Sequence, residues 1–154
     1  MTEEDKIMNT ILFQKGAGGE IKDFLSAFNI GVKNKPLFVP TEMKDLPSRD
    51  WAGEDGEDTF FPTNAKYKAY DIDVDVHYKG ARGSFPAVLS SVFTYLTKNG
   101  TELNIYSPYT QTGCKGAYFK GFSDFDFHRD NEGEDVGFKM KFRVTKPNET
   151  FIAN

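Results

Sequence analysis

A chain of 154 residues, 38% hydrophobic and 27% charged, fits a single domain (1–154) that can bury a core without a disulfide or metal to hold it. Nineteen basic residues against 23 acidic ones give a net charge of −4, which argues against a general affinity for nucleic acid. One cysteine and two histidines exclude an internal disulfide and a cysteine-rich zinc site, and no apolar run is long enough to read as a membrane span.

The opening Met-Thr-Glu-Glu-Asp-Lys is polar and acidic, unlike a secretion or transit signal, and residues 1–10 are expected to fray. A reducing compartment is expected, and the sequons at Asn99 and Asn148 read as turns. Ile11, Leu12 and Phe13 form a short apolar run, broken by the glycines at 16, 18 and 19. Between Glu20 and Phe28, the residues Ile21, Phe24, Leu25 and Phe28 fall at helical spacing, so a short helix ended by Gly31 is expected. Residues 33–64 lack periodicity, and Pro36, Pro40, Pro47 and Pro62 punctuate them. This segment reads as a long loop or arm, with Leu37, Phe38 and Val39 as an edge strand. So long a structureless stretch is usually functional.

Residues 70–78 alternate strictly, Tyr70, Ile72, Val74, Val76 and Tyr78 against Asp71, Asp73, Asp75 and His77, which is a strand with one buried and one wet face. Ser84 and Pro86 then open a helix whose apolar face is Phe85, Val88, Leu89, Val92, Phe93 and Leu96. Asn99-Gly100 closes it. Strands are expected from Glu102 to Tyr106, Gly116 to Phe122 and Asp124 to His128, the last either separate or a continuation of the strand before it. A polar turn from Arg129 to Gly137 leads to a final strand with Phe138, Met140, Phe142 and Val144 inward. With 15% aromatic residues, the chain is expected to be mainly β (α+β): an antiparallel β-sandwich or barrel with one central flanking helix.

Few motifs point to chemistry. The glycines at 16, 18 and 19 lack the spacing of a dinucleotide loop and the lysine of a phosphate loop. Asp71, Asp73 and Asp75 share a face, but a straight strand cannot curl around Ca²⁺. The acidic turn Asp130 to Asp135 also lacks a calcium-loop register. Cys114, His77 and His128 are the only candidates for a thiol–histidine pair, and no local signature supports them. No catalytic, cofactor or metal residues are therefore expected. Trp51, Tyr106 and Tyr109 are candidates for stacking on a sugar or anchoring a partner.

Ser48-Arg49-Asp50-Trp51, the acidic run Glu54 to Asp58, the Tyr70–Val76 strand, the helix ending in Tyr95 to Gly100, the Leu103-x-Ile105-Tyr106 strand and Tyr118-Phe119 occur in an order that resembles tail proteins of long-tailed bacteriophages. The likeness covers about residues 45–125 and is to the ring-forming domain of distal tail proteins and to tail-tube proteins. It implies a structural subunit without catalytic residues, forming a hexameric ring around a DNA channel in the virion tail after synthesis in the bacterial cytoplasm. Its partners would be further copies of itself and neighbouring tail proteins, with DNA as non-specific cargo, no membrane and no cofactor. The second, carbohydrate-binding-like domain of larger distal tail proteins is not expected here, nor is the receptor contact that goes with it. On this view Leu37, Phe38, Trp51, Phe60 and Phe61 are subunit-interface residues of the arm, and Asp71, Asp73 and Asp75 line the channel. The rival expectations are a carbohydrate-binding β-sandwich and a small hydrolase or thiol enzyme using Cys114.

Overall fold

The alternation at residues 70–78 is realised in a strand, and the rest of the chain is arranged around it. The computed structural model describes residues 10–16, 18–100 and 102–153; the polar start at 1–9, Ala17 of the glycine run and Thr101 of the first sequon lie outside it. In chain order the elements are β1 (Leu12–Lys15), β2 (Ile21–Asp23), α1 (Phe24–Phe28), β3 (Ile30–Val32), β4 (Ser48–Arg49), β5 (Asp58–Thr59), β6 (Tyr70–Gly80), α2 (Phe85–Thr97) with a 3₁₀ turn at Lys98–Gly100, β7 (Leu103–Ser107), β8 (Thr112–Arg129) and β9 (Glu134–Lys146). Seven strands form one antiparallel sheet in the order β2-β1-β7-β8-β9-β6-β3. The protein is thus mainly β, with two helices among the described residues.

The sheet is curled. Its two edge strands, β2 and β3, are separated in sequence only by the five-residue α1, which spans about 8 Å. The edges must therefore come together, and α1 closes the seam. Packing agrees: the Phe13 and Phe142 rings lie 5.6 Å apart, although β1 and β9 stand three places apart in the sheet. In a flat sheet that offset would be about 14 Å. The barrel-like interior holds Phe13, Phe24, Ile30, Val74, Val76, Ile105, Met140, Phe142 and Val144, all fully buried.

The expected helix from Glu20 to Phe28 is instead strand β2 followed by one turn of helix. Asp23 Oδ1 accepts from the Leu25 amide at 2.9 Å, the cap that starts α1. Asn29, left-handed at φ 57°, ends it. Gly31 lies inside β3, opposite His77, and does not stop a helix.

Helix α2 packs Phe85, Val92 and Leu96 into the core. Ser84 makes no side-chain cap; its hydroxyl bonds Ala81 O and Tyr78. The capping group comes from β9. Buried Glu134 accepts from the Gly83 amide at 2.8 Å, the Phe85 amide at 2.7 Å and Arg129 Nε at 2.8 Å. A carboxylate at a helix N-terminus suits both the free amides and the dipole. These bonds, that from Gly83 foremost, hold its carboxyl below the usual glutamate range.

The two expected strands at 116–122 and 124–128 are one 18-residue strand, β8. β7 pairs with it only as far as Ala117. Beyond that point α2 lies alongside, with Phe93 against Phe119 and Phe122, and Phe85 against Phe125 and Phe127. Register shifts between Phe119 and Gly121 and between Ser123 and Asp126 bring these phenylalanines to one face. The turn expected from Arg129 to Gly137 shrinks to four residues between β8 and β9, because Glu134 to Gly137 join β9. Asp130 Oδ1 closes that turn by accepting from the Glu132 and Gly133 amides.

Candidate functional site

Residues 33–64 are not a structureless loop, and Leu37–Val39 is not a strand. The chain leaves the body after β3 and makes a narrow two-limbed ribbon. At its root Lys44 N donates to Lys66 O, Lys68 N donates to Glu42 O, and Met43 bridges Tyr67. Further out β4 pairs with β5, and the Phe60 amide bonds Pro47 O. The tip turns through Gly53 and Gly56, left-handed at φ 87° and 77°, a conformation that side chains with a Cβ rarely adopt.

From residue 39 to 73 not one residue is buried. The ribbon nevertheless carries large apolar side chains. Phe61 is 76% exposed and Phe60 64%, with Met43 and Trp51 close to half exposed. The Arg49 guanidinium lies over the Trp51 ring at 4.6 Å. Pro47, Trp51 and Phe60 line an open hollow of about 470 Å³ on the ribbon. Around the aromatic tip stand Asp50, Glu54, Asp55, Glu57 and Asp58, all exposed. A monomer gains nothing from hydrophobic side chains kept in water on a projecting ribbon; a contiguous patch of this kind marks a contact surface.

Two of the expected interface residues lie at the ribbon's root and behave differently from each other. Leu37 is exposed. Phe38 is corrected to the core: it is 3% exposed, and its amide donates to Thr112 Oγ1 at 3.1 Å. It anchors the root to the body and is not available to a neighbour.

The expected channel lining also changes character. Asp71, Asp73 and Asp75 do point outward, but each sits directly opposite a cation on β9: Arg143, Lys141 and Lys139 respectively. Asp71 accepts from Arg143 Nη1 at 2.9 Å and from Lys120 Nζ at 3.3 Å, which hold its carboxyl below the ordinary range. Opposite charges thus face each other across the strands. The stripe is a mosaic of both signs, and the three aspartates do not form a purely acidic face.

Cys114, His77 and His128 are not brought together. Cys114 is buried in β8 opposite Ile105, and burial pushes its thiol up to about 12. His128 lies 14 positions further along the same bulged strand, some eleven positions of the β9 ladder, roughly 35 Å along the strand. His77 is level with Gly137, while Cys114 lies beyond the Lys115–Lys146 pair, nine positions along β9 and about 30 Å away. His77 Nδ1 is buried without a hydrogen-bond partner, and burial lowers its pKa; exposed His128 bonds Asp126 at 3.3 Å. Of the aromatic candidates, Tyr109 is exposed with Lys35 Nζ over its ring at 4.4 Å, and Tyr106 is half-buried in β7.

Sequence reasoning missed Met43 on the ribbon, and it missed a group of lysines on the body. Lys15, Lys22 and Lys98 come from separate segments, and nothing in their spacing announces that they meet. No protein-family description matches the chain, and no curated protein is similar to it.

Proposed function

We propose that this protein is a structural subunit that assembles with copies of itself through the ribbon. The observation that carries this is the ribbon itself: a projecting element without a buried residue, whose tip and root expose Met43, Trp51, Phe60 and Phe61. Large aromatic side chains of this kind are the usual anchors of protein–protein contacts. The mainly β architecture with a flanking helix, together with the order of segments that resembles phage tail proteins, favours a ring subunit of a virion tail. DNA would pass through such a ring as non-specific cargo.

The test follows from the ribbon's geometry. Lys44 and Lys66 are bonded across the root, so Asn-Gly can replace residues 45–65 without opening the body. The intact chain should form a defined oligomer at high concentration, seen by mass measurement and as rings in negative stain. The shortened chain should melt like the intact one and remain monomeric. An intact chain that is monomeric throughout and is retained on a glycan matrix would favour the carbohydrate-binding alternative instead.

A further inference from the structure

If the ribbon reaches a neighbour, it needs a surface to land on, and the body presents one of matching chemistry. Beside the seam, β1, β2, α1 and the end of α2 gather three lysines around an aromatic slot. Lys15 Nζ lies 4.9 Å from the Tyr95 ring centre and Lys22 Nζ 4.7 Å from it; Lys22 Nζ is also 5.3 Å from the Phe28 ring. Lys15 Nζ donates to the backbone carbonyl of Lys98 at 3.0 Å, which ties it to the end of α2. Between Lys22, Phe28, Thr94 and Tyr95 the slot holds about 360 Å³ and opens to solvent. The cations crowd one another: burial, then the charges of Lys98 and Lys22, lower the Lys15 ammonium pKa. Among the described residues no ion pair joins these lysines to a carboxylate. A cation cluster held over ring faces attracts an anionic partner that carries an aromatic side chain.

The ribbon's tip is such a partner, with five acids around Trp51. We propose that the acidic tip of one copy docks on the Lys15–Lys22–Lys98 cluster of a second copy, with Trp51 entering the slot between Phe28 and Tyr95. This rests on the ribbon being the assembly element. Tip and slot are different patches, so the contact is head-to-tail, and its repetition closes a ring or runs on as a filament.

Charge reversal tests it with full-length chains. Lys15→Glu with Lys22→Glu should lower self-association at least about tenfold at low salt, and Glu54→Lys with Asp55→Lys and Glu57→Lys should do the same. An equimolar mixture of the two variants should regain assembly, because each tip then meets a slot of opposite sign on the other chain. Thr94→Glu, on the exposed flank of α2, blocks the slot without touching β1 or β2, and should also weaken assembly if the double variant misfolds. If folded slot variants assemble like the wild type while the ribbon-shortened chain stays monomeric, the ribbon stands as the assembly element and this landing surface is wrong. If the shortened chain assembles too, or the wild type never does, the ribbon reading fails and takes this proposal with it.

Discussion

Phe13 and Phe61 are the same residue type put to opposite uses. In the body, Phe13 is fully buried, stacked on Phe24 at 4.3 Å and tilted against Phe142. In the ribbon, Phe61 stands three-quarters in water. The phenylalanines that line the body's interior are consumed by its closure, whereas the ribbon has no interior and leaves its own in water. The difference teaches that the ribbon's exposed aromatics, the anchors of the proposed assembly, lie outside the core that holds the fold, so on that reading each can be damaged without the other.

The largest effect should come from the body. Phe13→Ala empties the middle of the barrel and should cost about 3–5 kcal/mol of stability in denaturant unfolding. A loss below about 1 kcal/mol would show that the interior is not closed as described. Next comes the ribbon. Trp51→Ala should leave unfolding within about 0.5 kcal/mol of wild type. It should weaken self-association by about 2 kcal/mol, roughly thirtyfold, measured by sedimentation equilibrium. A Trp51 variant that melts early but assembles normally would reverse the comparison.

Glu134 tests the body through pH. Its folded-state pKa is depressed, so its contribution to stability is full above the ordinary glutamate value of 4.5 and is lost as pH falls through the lowered folded value. The melting temperature should therefore drop on acidification below about pH 4.5, and Glu134→Gln should melt lower at neutral pH with a flatter acid limb. An unchanged acid limb would remove Glu134 from the cap. The smallest effect belongs to the outer charge mosaic. Asp71→Asn breaks ion pairs whose carboxylate is half exposed, so it should cost less than about 1 kcal/mol, and added salt should erase the difference.

How much of this was legible depends on whether one periodicity governs a segment. β6 is paired with β9 along its whole length and buried on one face, so its alternation survives in the sequence unbroken. Helix α2 and most of β9 are legible for the same reason. β8 is not, because Phe119, Phe122, Phe125 and Phe127 are spaced by three, three and two, and only two bulges put them on one face. The Ile21–Phe28 stripe misled because a helical spacing was shared between a strand and a single helical turn. The cap on α2 was invisible since Glu134 is 49 residues from the amide of Phe85 that it holds. In the ribbon, prolines and acids mark where regular periodicity stops, and Trp51, Phe60 and Phe61 are exposed there. Phe38, in the same proline-flanked style, is not distinguishable from them in the sequence, because the threonines that hold its backbone to the body lie more than seventy residues away.

The anchoring of the ribbon through buried Phe38 has a mechanical consequence. The returning limb runs straight into β6, whose eleven residues are paired with β9 throughout, so a pull along it is shared by a long ladder. The outgoing limb is held by the three-residue β3, by Asn34 bonded to the β6 backbone, and by Phe38, with Thr110 Oγ1 on Pro36 O and Thr112 Oγ1 on the Phe38 amide. Under tension from a neighbour the two limbs would not yield together. Phe38 would leave its socket first and free the chain from Lys35 to Thr41, while the returning limb still held on β6 and the barrel seam stayed shut. On the proposed reading, the load from a neighbour would then fall on the β6 limb alone and the ribbon could swing without detaching. Phe38→Ala should loosen the outgoing limb only: amide exchange should quicken at residues 38 and 39 and stay unchanged along β6.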